Sequence, residues 1–161
     1  MQAGEREDAV GRIERPATMD NWDALFGFVQ SEAKRHLNGH SKEYGLMLAC
    51  EELISNMIRY NGSRQIHDGQ SVSIRILSRW VEGEGHRLFR FEISDDGPSF
   101  HPHFKAIAAA VEDVPIEKRP IGGLGLFLIK TSVDQVTYVY SDHRNIYSLD
   151  TDPAVPAAAS S

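Results

Sequence analysis

PIGGLGLFLIK, residues Pro120–Lys130, is the most informative part of the sequence, because three glycines stand directly before the most apolar helical segment. Gly122, Gly123 and Gly125 leave backbone N–H groups free to point at one ligand, and a helix N-terminus adds partial positive charge. The stretch therefore predicts an anion cradle suited to phosphates, with a flexible hinge before a buried helix as the alternative. Its spacing matches neither G-x-G-x-x-G after a strand nor G-x-x-x-x-G-K-[ST], so those two nucleotide motifs do not apply.

The composition is that of an ordinary globular domain. The chain has 161 residues, of which 41% are hydrophobic and 25% are charged. The net charge of -6 argues against a dedicated nucleic-acid binder, since phosphate neutralisation needs a concentrated basic face. No apolar run approaches the roughly 20 residues of a membrane span. The single cysteine, Cys50, fits a small buried hydrophobe in a reducing cytoplasm, so we expect a cytoplasmic protein.

Hydrophobic periodicity predicts two helices, a strand pair, a further helix and a last strand pair. The first helix is expected to have Asp20 as its N-cap and Gly39 as its stop, and the second to run from about Ser41 to Tyr60. The strands are expected at Val10–Arg15, ended by Pro16, and at Val72–Leu77, Leu88–Ser94, 135–140 and 146–150.

This order of elements predicts an α+β fold. It would be a two-layer sandwich, with helices on one face of a mixed, mostly antiparallel sheet. We place the domain at residues 10–150. Residues 1–9 and the low-complexity tail at 151–161 are expected to be disordered.

The second predicted helix carries a carboxylate and a carboxamide on one face. Glu52 and Asn56 are four residues apart, so their side chains are neighbours beside the apolar stripe. An asparagine oxygen can ligate Mg²⁺, and a glutamate can act as a general base. The alternative is a solvated polar face, because this spacing is common on helices.

A predicted strand runs directly into Asp95, Asp96 and Gly97. The functional interpretation is a carboxylate at the rim of the sheet that accepts a hydrogen bond from a base amine. Gly97 would then let the ligand ring approach the backbone. An ordinary turn is the alternative.

The order and spacing of these three segments resemble the Bergerat-type ATP-binding fold shared by gyrase, mismatch-repair ATPases and histidine kinases. The sequence is most similar to the anti-sigma-factor serine kinases of that superfamily. CEELISNMIRYN resembles their N box, DDGPSF their first glycine box and GGLGLFLIKTSVDQVTY their second. The resemblance runs from about Val10 to Asp150.

The resemblance implies that Mg-ATP binds between the helices and the sheet. Asn56 would ligate Mg²⁺, Glu52 would be the catalytic base, and Asp95 would accept from the adenine amino group, with Gly97 beside the ring. In the second glycine box, Gly123 and Gly125 would sit under the phosphates, and Gly122, Leu124 and Leu126 are the other residues expected to bind the nucleotide. A lid is expected at about His101–Ile121, and its Lys105 is one of four basic residues, with Lys118, Arg119 and Lys130, that fit an anionic ligand. Ordinary surface charge is the alternative for at least half of these four.

The resemblance also implies a function and partners. The family phosphorylates a serine on an anti-sigma-factor antagonist, sequesters a sigma factor and works as a homodimer. One alternative is a nucleotide-regulated binding module with little or no kinase activity that controls a non-sigma target. Another is the catalytic domain of a histidine kinase. Retention of both Glu52 and Asn56 favours the kinase, and the lack of a long helical pair before Trp22 disfavours the histidine kinase.

Overall fold

The computed structural model describes residues 11–61, 65–66, 70–99 and 128–154. Their main element is a five-stranded sheet with the order β1-β4-β5-β7-β6, in which every pairing is antiparallel. The strands are β1 (Gly11–Pro16), β4 (Ser73–Glu82), β5 (Arg87–Asp95), β6 (Gln135–Ser141) and β7 (Arg144–Thr151), and a two-stranded hairpin is formed by β2 (Gln65–Ile66) and β3 (Gln70–Ser71). The predicted α+β class is confirmed.

One face of the sheet forms the core together with the helices α1 (Trp22–Leu37) and α2 (Glu43–Asn61). Because successive strand residues point to opposite faces, alternate side chains of the three central strands are buried against the helices. The buried strand residues include Ile74 and Ile76 in β4, Phe89, Phe91 and Ile93 in β5, and Tyr147 and Leu149 in β7. The opposite face carries ion pairs, such as that between Arg90 Nε and Asp150 Oδ1 at 2.7 Å.

The start of α1 differs from the prediction. Asp20 is not the N-cap, because residues Met19–Asn21 form a 3₁₀ turn and Asn21 takes the N-cap position. The Asn21 amide donates to the Thr18 hydroxyl at 2.9 Å, which ties the turn to the preceding backbone. The predicted stop is consistent with the structure, since α1 ends at Leu37 and Gly39 follows with a φ of 79°.

Helix α2 has the apolar stripe that the sequence predicts. Its buried residues include Leu46, Cys50, Leu53, Ile54 and Met57. Burial raises the pKa of the Cys50 thiol, so this residue stays protonated and packs as a small hydrophobe. The stripe fixes which face of α2 meets the sheet, and therefore where its polar residues lie.

The final hairpin is tighter than predicted. Residues 141–145 were expected to form the turn, but Asp142 and His143 alone connect β6 to β7. Both have positive φ, at 53° and 59°, as a two-residue type I′ turn requires. The shorter turn moves Asn145 from the loop into β7, where it is buried.

The predicted tail, 151–161, also begins later than expected. Strand β7 extends through Thr151, which pairs with Phe89 of β5. The carbonyl of Asp152 then accepts from Lys42 Nζ at 2.9 Å, and its carboxylate lies 2.7 Å from His86 Nε2. These polar contacts hold the chain past the predicted boundary.

Residues 128–132 are helical and lie against the first half of α2. A Cβ added to Gly45 would stand 2.7 Å from the backbone oxygen of Ser132. Only glycine allows this approach without movement of one backbone relative to the other. The contact therefore fixes the helix that follows the second glycine stretch against α2.

We predict that Gly45→Ala destabilises the protein by about 1–3 kcal/mol, because the added methyl overpacks a backbone contact. Gly27→Ala in α1 is the matched control, since its Cβ would meet nothing within 4 Å. That change should stabilise the protein by roughly 0.5–1 kcal/mol through helix propensity alone. Urea unfolding of both variants measures the difference, and equal stabilisation by the two would contradict the close contact at Ser132.

Candidate functional site

Helix α2 presents Glu52 and Asn56 one helical turn apart. Both are partly buried, and the residues around them in sequence, Leu53, Ile54, Met57 and Ile58, are fully buried in the core. The two polar side chains therefore lie at the border between the core and solvent, as predicted from their spacing. Within the described part of the chain, neither side chain has a hydrogen bond or ion pair, so both are available to a ligand.

The end of β5 holds a buried carboxylate. The side chain of Asp95 accepts the backbone N–H of Gly97 at 2.9 Å and the side-chain amide of Asn145 at 2.9 Å. Burial raises the pKa of Asp95, although both hydrogen bonds act in the opposite direction. A buried carboxylate with a raised pKa and specific polar partners is a candidate for a functional site.

The turn that follows Asp95 is held from two sides. The Asp96 carboxylate accepts the backbone N–H of Ser73 at 2.7 Å, which joins the turn to β4. The Asn145 amide also donates to the backbone oxygen of Pro98 at 2.9 Å, which joins the turn to β7. Hydrogen bonds to both neighbouring strands therefore fix the turn at the end of β5.

Gly97 brings this turn against the end of α2. A Cβ at Gly97 would stand 2.7 Å from Asn61 Oδ1 and 3.1 Å from Asp95 Oδ1. Asn61 is the last residue of α2 and is buried. The structure therefore needs glycine here for close packing between the helix end and the turn.

Helix α2, which is itself one of the three predicted functional segments, contacts the D-x-G turn and the helix at residues 128–132. Its first half touches Ser132, just after the second glycine stretch, and its last residue touches Gly97. Glu52 and Asn56 lie between these two contacts along the helix. The structure thus brings the E-x-x-x-N helix and the D-x-G turn together.

Some of the predicted site residues lie outside the described part of the chain. They are Lys105 and the second glycine box, with Gly122, Gly123, Leu124, Gly125 and Leu126. The expected lid at His101–Ile121 lies outside it as well. Their roles stay predictions.

Two site residues were missed by the sequence reasoning. The predicted helix ends before Asn61, which closes the segment similar to the N box without a predicted role, and Asn145 falls between the last two predicted strands. Asn145 could have been found by extending the alternation of β7, because Leu149 and Tyr147 are buried and the next inward position is 145. Asn61 gives no such signal, since its role depends on the contact with Gly97 across the fold.

The described residues contain no cluster of three or more His, Cys, Asp or Glu side chains that could hold a metal ion. This does not conflict with a Mg²⁺ role for Asn56, because Mg²⁺ often binds through one or two protein ligands, phosphates and water. The unbonded amide of Asn56 fits such a role. No helix in the described ranges is long and apolar enough to cross a membrane.

Comparison with known families assigns the class of protein. Residues 15–150 match the family described as the histidine kinase-like ATPase domain. Since this covers most of the chain, the protein belongs to that family, and its layered α+β fold agrees with the assignment. Membership implies ATP binding. In the comparison with curated proteins, no sequence matches this chain.

We predict that Asp95→Asn leaves the protein at neutral pH as stable as the wild type or more stable. The raised pKa means that the ionised carboxylate destabilises the folded state at any pH above that pKa. The amide oxygen of asparagine can still accept both N–H groups now bonded to Oδ1. The stability difference should shrink as the pH falls through the raised pKa and the wild-type carboxyl becomes neutral.

Thermal unfolding from pH 7 down to pH 4 measures this difference. Glu84→Gln is the control, because it neutralises an exposed carboxylate in the β4–β5 turn. A large loss of stability for Asp95→Asn at pH 7, with none for the control, would show that the ionised form stabilises the fold and that the assigned sign is wrong.

Proposed function

We propose that this protein is an ATP-dependent serine/threonine kinase of the anti-sigma-factor kinase group. It phosphorylates a serine on an anti-sigma-factor antagonist and itself binds and inhibits a sigma factor. The observation that carries the proposal is the placement of α2, which contacts both Gly97 and Ser132. It bears Glu52 and Asn56, whose side chains have no hydrogen bond within the described ranges. Family membership supports the ATP-dependent part.

Asp95 forms the base-recognition end of the proposed site. Within the described residues, two N–H groups donate to Oδ1 of its carboxylate and none donates to Oδ2. The second oxygen is therefore the acceptor for the amino group of adenine. Gly97 keeps the turn compact beside it, because any side chain there would displace Asn61 or Asp95.

Asn56 and Glu52 form the reacting end. The Asn56 side-chain oxygen would be a ligand of Mg²⁺, and the ion when bound neutralises phosphate charge. Glu52, one turn earlier on the same helix, would accept the proton of the serine hydroxyl as general base. Phosphoryl transfer depends on positioning and charge neutralisation more than on covalent chemistry, so this small set of groups is sufficient.

The proposed partners follow from the kinase assignment. They are an antagonist with a phosphoacceptor serine, a sigma factor, and a second copy of the chain in a homodimer. A net charge of -6 favours protein partners over direct contact with DNA. The other candidate is a nucleotide-regulated binding module for a non-sigma target. The Glu52 carboxylate, which has no hydrogen-bond partner among the residues that the structure describes, favours the kinase over this module, because a binding module needs no general base.

We predict that Glu52→Gln reduces phosphoryl transfer about 100-fold or more, because removal of a general base typically costs 10²–10⁴ in rate. Affinity for Mg-ATP should stay close to that of the wild type, since Glu52 does not contact the base-recognition end. The protein is incubated with γ-labelled Mg-ATP and a clarified lysate of the source organism, and label on serine is quantified. Calorimetry with Mg-ATP measures the affinity.

Glu51→Gln is the matched control, since it changes a neighbouring, equally partly buried carboxylate of α2. It should retain both transfer and affinity. Wild-type protein that binds Mg-ATP but labels no partner serine would favour the binding module. Wild-type protein that binds no adenine nucleotide would remove the proposal altogether.

A further inference from the structure

A chain of three side chains links the edge strand β6 to the carboxylate at the end of β5. The hydroxyl of Tyr138 in β6 donates to Asn145 Oδ1 at 2.6 Å. The amide nitrogen of Asn145 then donates to Asp95 Oδ1 at 2.9 Å. Asn145 and Asp95 are cross-strand neighbours on the helix-covered face, so the contact is built into the strand register.

The orientation of the Asn145 amide determines whether its nitrogen or its oxygen faces the Asp95 carboxylate. An asparagine offers an oxygen that accepts and a nitrogen that donates, and the two can exchange places by rotation. The Tyr138 hydroxyl bonds the oxygen, so the nitrogen is directed at Asp95 and at the backbone oxygen of Pro98. The Tyr138 ring is in turn held by the Tyr147 ring, with centroids 4.9 Å apart.

The two oxygens of the Asp95 carboxylate differ in their hydrogen bonding. Oδ1 receives both the Asn145 amide and the backbone N–H of Gly97, while Oδ2 receives no hydrogen bond from the described residues. An ionised carboxylate held in this way offers one fixed acceptor. A purine with a 6-amino group can donate to it, whereas a purine with a 6-oxo group presents an acceptor and is repelled.

We propose that Tyr138 and Asn145 are positioning residues that set base selectivity, by holding the ionised Asp95 so that Oδ2 selects 6-amino over 6-oxo purine nucleotides. This inference rests on the proposed function, because it assumes that Asp95 reads the nucleotide base. It assigns a role to an edge-strand tyrosine for which the sequence analysis predicts none. Neither residue is expected to touch the nucleotide, so both act through Asp95.

The ionisation of Asp95 is the quantity through which the two residues act. Burial and the Asp96 charge raise the pKa of Asp95, while the hydrogen bonds from Asn145 and Gly97 and the Arg144 charge lower it. Loss of the oriented amide therefore raises the pKa further. A protonated Asp95 can donate to a 6-oxo group, so selectivity should weaken at lower pH.

The test uses Tyr138→Phe, which removes only the hydroxyl, and Asn145→Leu, which removes the amide. Carbon-detected NMR titration of Asp95 in the nucleotide-free protein should show a higher midpoint in both variants, with the larger rise for Asn145→Leu. Calorimetry with ATP and with inosine triphosphate should show that the preference for ATP falls about tenfold in Asn145→Leu, as expected for one lost charge-assisted hydrogen bond. Tyr138→Phe should give a smaller fall in the same direction.

Tyr140→Phe is the matched control for Tyr138→Phe. Tyr140 lies in the same strand, is 39% exposed, and its hydroxyl makes no hydrogen bond within the described residues. It should change neither the Asp95 midpoint nor the ATP preference. Because Tyr138→Phe retains the ring, the test stays valid even where Asn145→Leu fails to fold.

The outcomes separate this inference from the proposed function. Normal ATP binding, with an Asp95 midpoint and an ATP preference in Tyr138→Phe that equal those of the wild type, overturns the inference alone. A wild type that binds neither nucleotide overturns the proposed function and base selectivity together. In that case, a higher Asp95 midpoint in the two variants would still show that Tyr138 and Asn145 act on Asp95. A shift of equal size in Tyr140→Phe also overturns the assignment to Tyr138.

Discussion

Two close contacts of α2, one with a backbone carbonyl and one through a side chain, hold the candidate site together. Near its start Gly45 meets the backbone of Ser132, and at its end Asn61 meets Gly97. The helix itself is fixed by the buried stripe that packs on the sheet. Because the helix is rigid, these contacts also fix Glu52 and Asn56 relative to the D-x-G turn. Any change that moves α2 on the sheet would therefore disturb all parts of the site together.

The polar groups at the end of β5 form a small network within an otherwise apolar layer. Tyr138, Asn145 and Asp95 are joined by hydrogen bonds, and Asp95 stays partly unsatisfied at Oδ2 among the described residues. Such a network stabilises a fold less than apolar packing would, because a buried carboxylate loses its hydration. Its position at the end of the central strand β5 is consistent with a functional role, since carboxylates with perturbed pKa values concentrate at binding sites.

Much of the fold could be predicted because hydrophobic periodicity reports directly on burial. The stripe of α2 and the position of β5 were predicted correctly, since each depends on the period of a single element. Strand β4 was predicted to end at Leu77, but it continues to Glu82. The N-cap of α1, the length of the final turn and the start of the tail were wrong by a few residues. Each depends on hydrogen bonds that hydrophobic periodicity does not report. The Asn21 side chain bonds to one of several polar groups close to it in sequence, and the Asp152 carbonyl bonds to Lys42, which is far from it in sequence.

For the site, sequence alone was enough to identify Glu52, Asn56, Asp95 and Gly97 as candidates, because residue type and spacing along one element carry that information. The alternation of β7 could have placed Asn145 facing the core, but neither its partners nor those of Asn61 could be identified, since they come from contacts across the fold. The Asn145–Asp95 bond exists because two strands 50 residues apart pair in one register. Strand register and helix–turn contact are properties of the packed chain, so they emerge only when the layers come together.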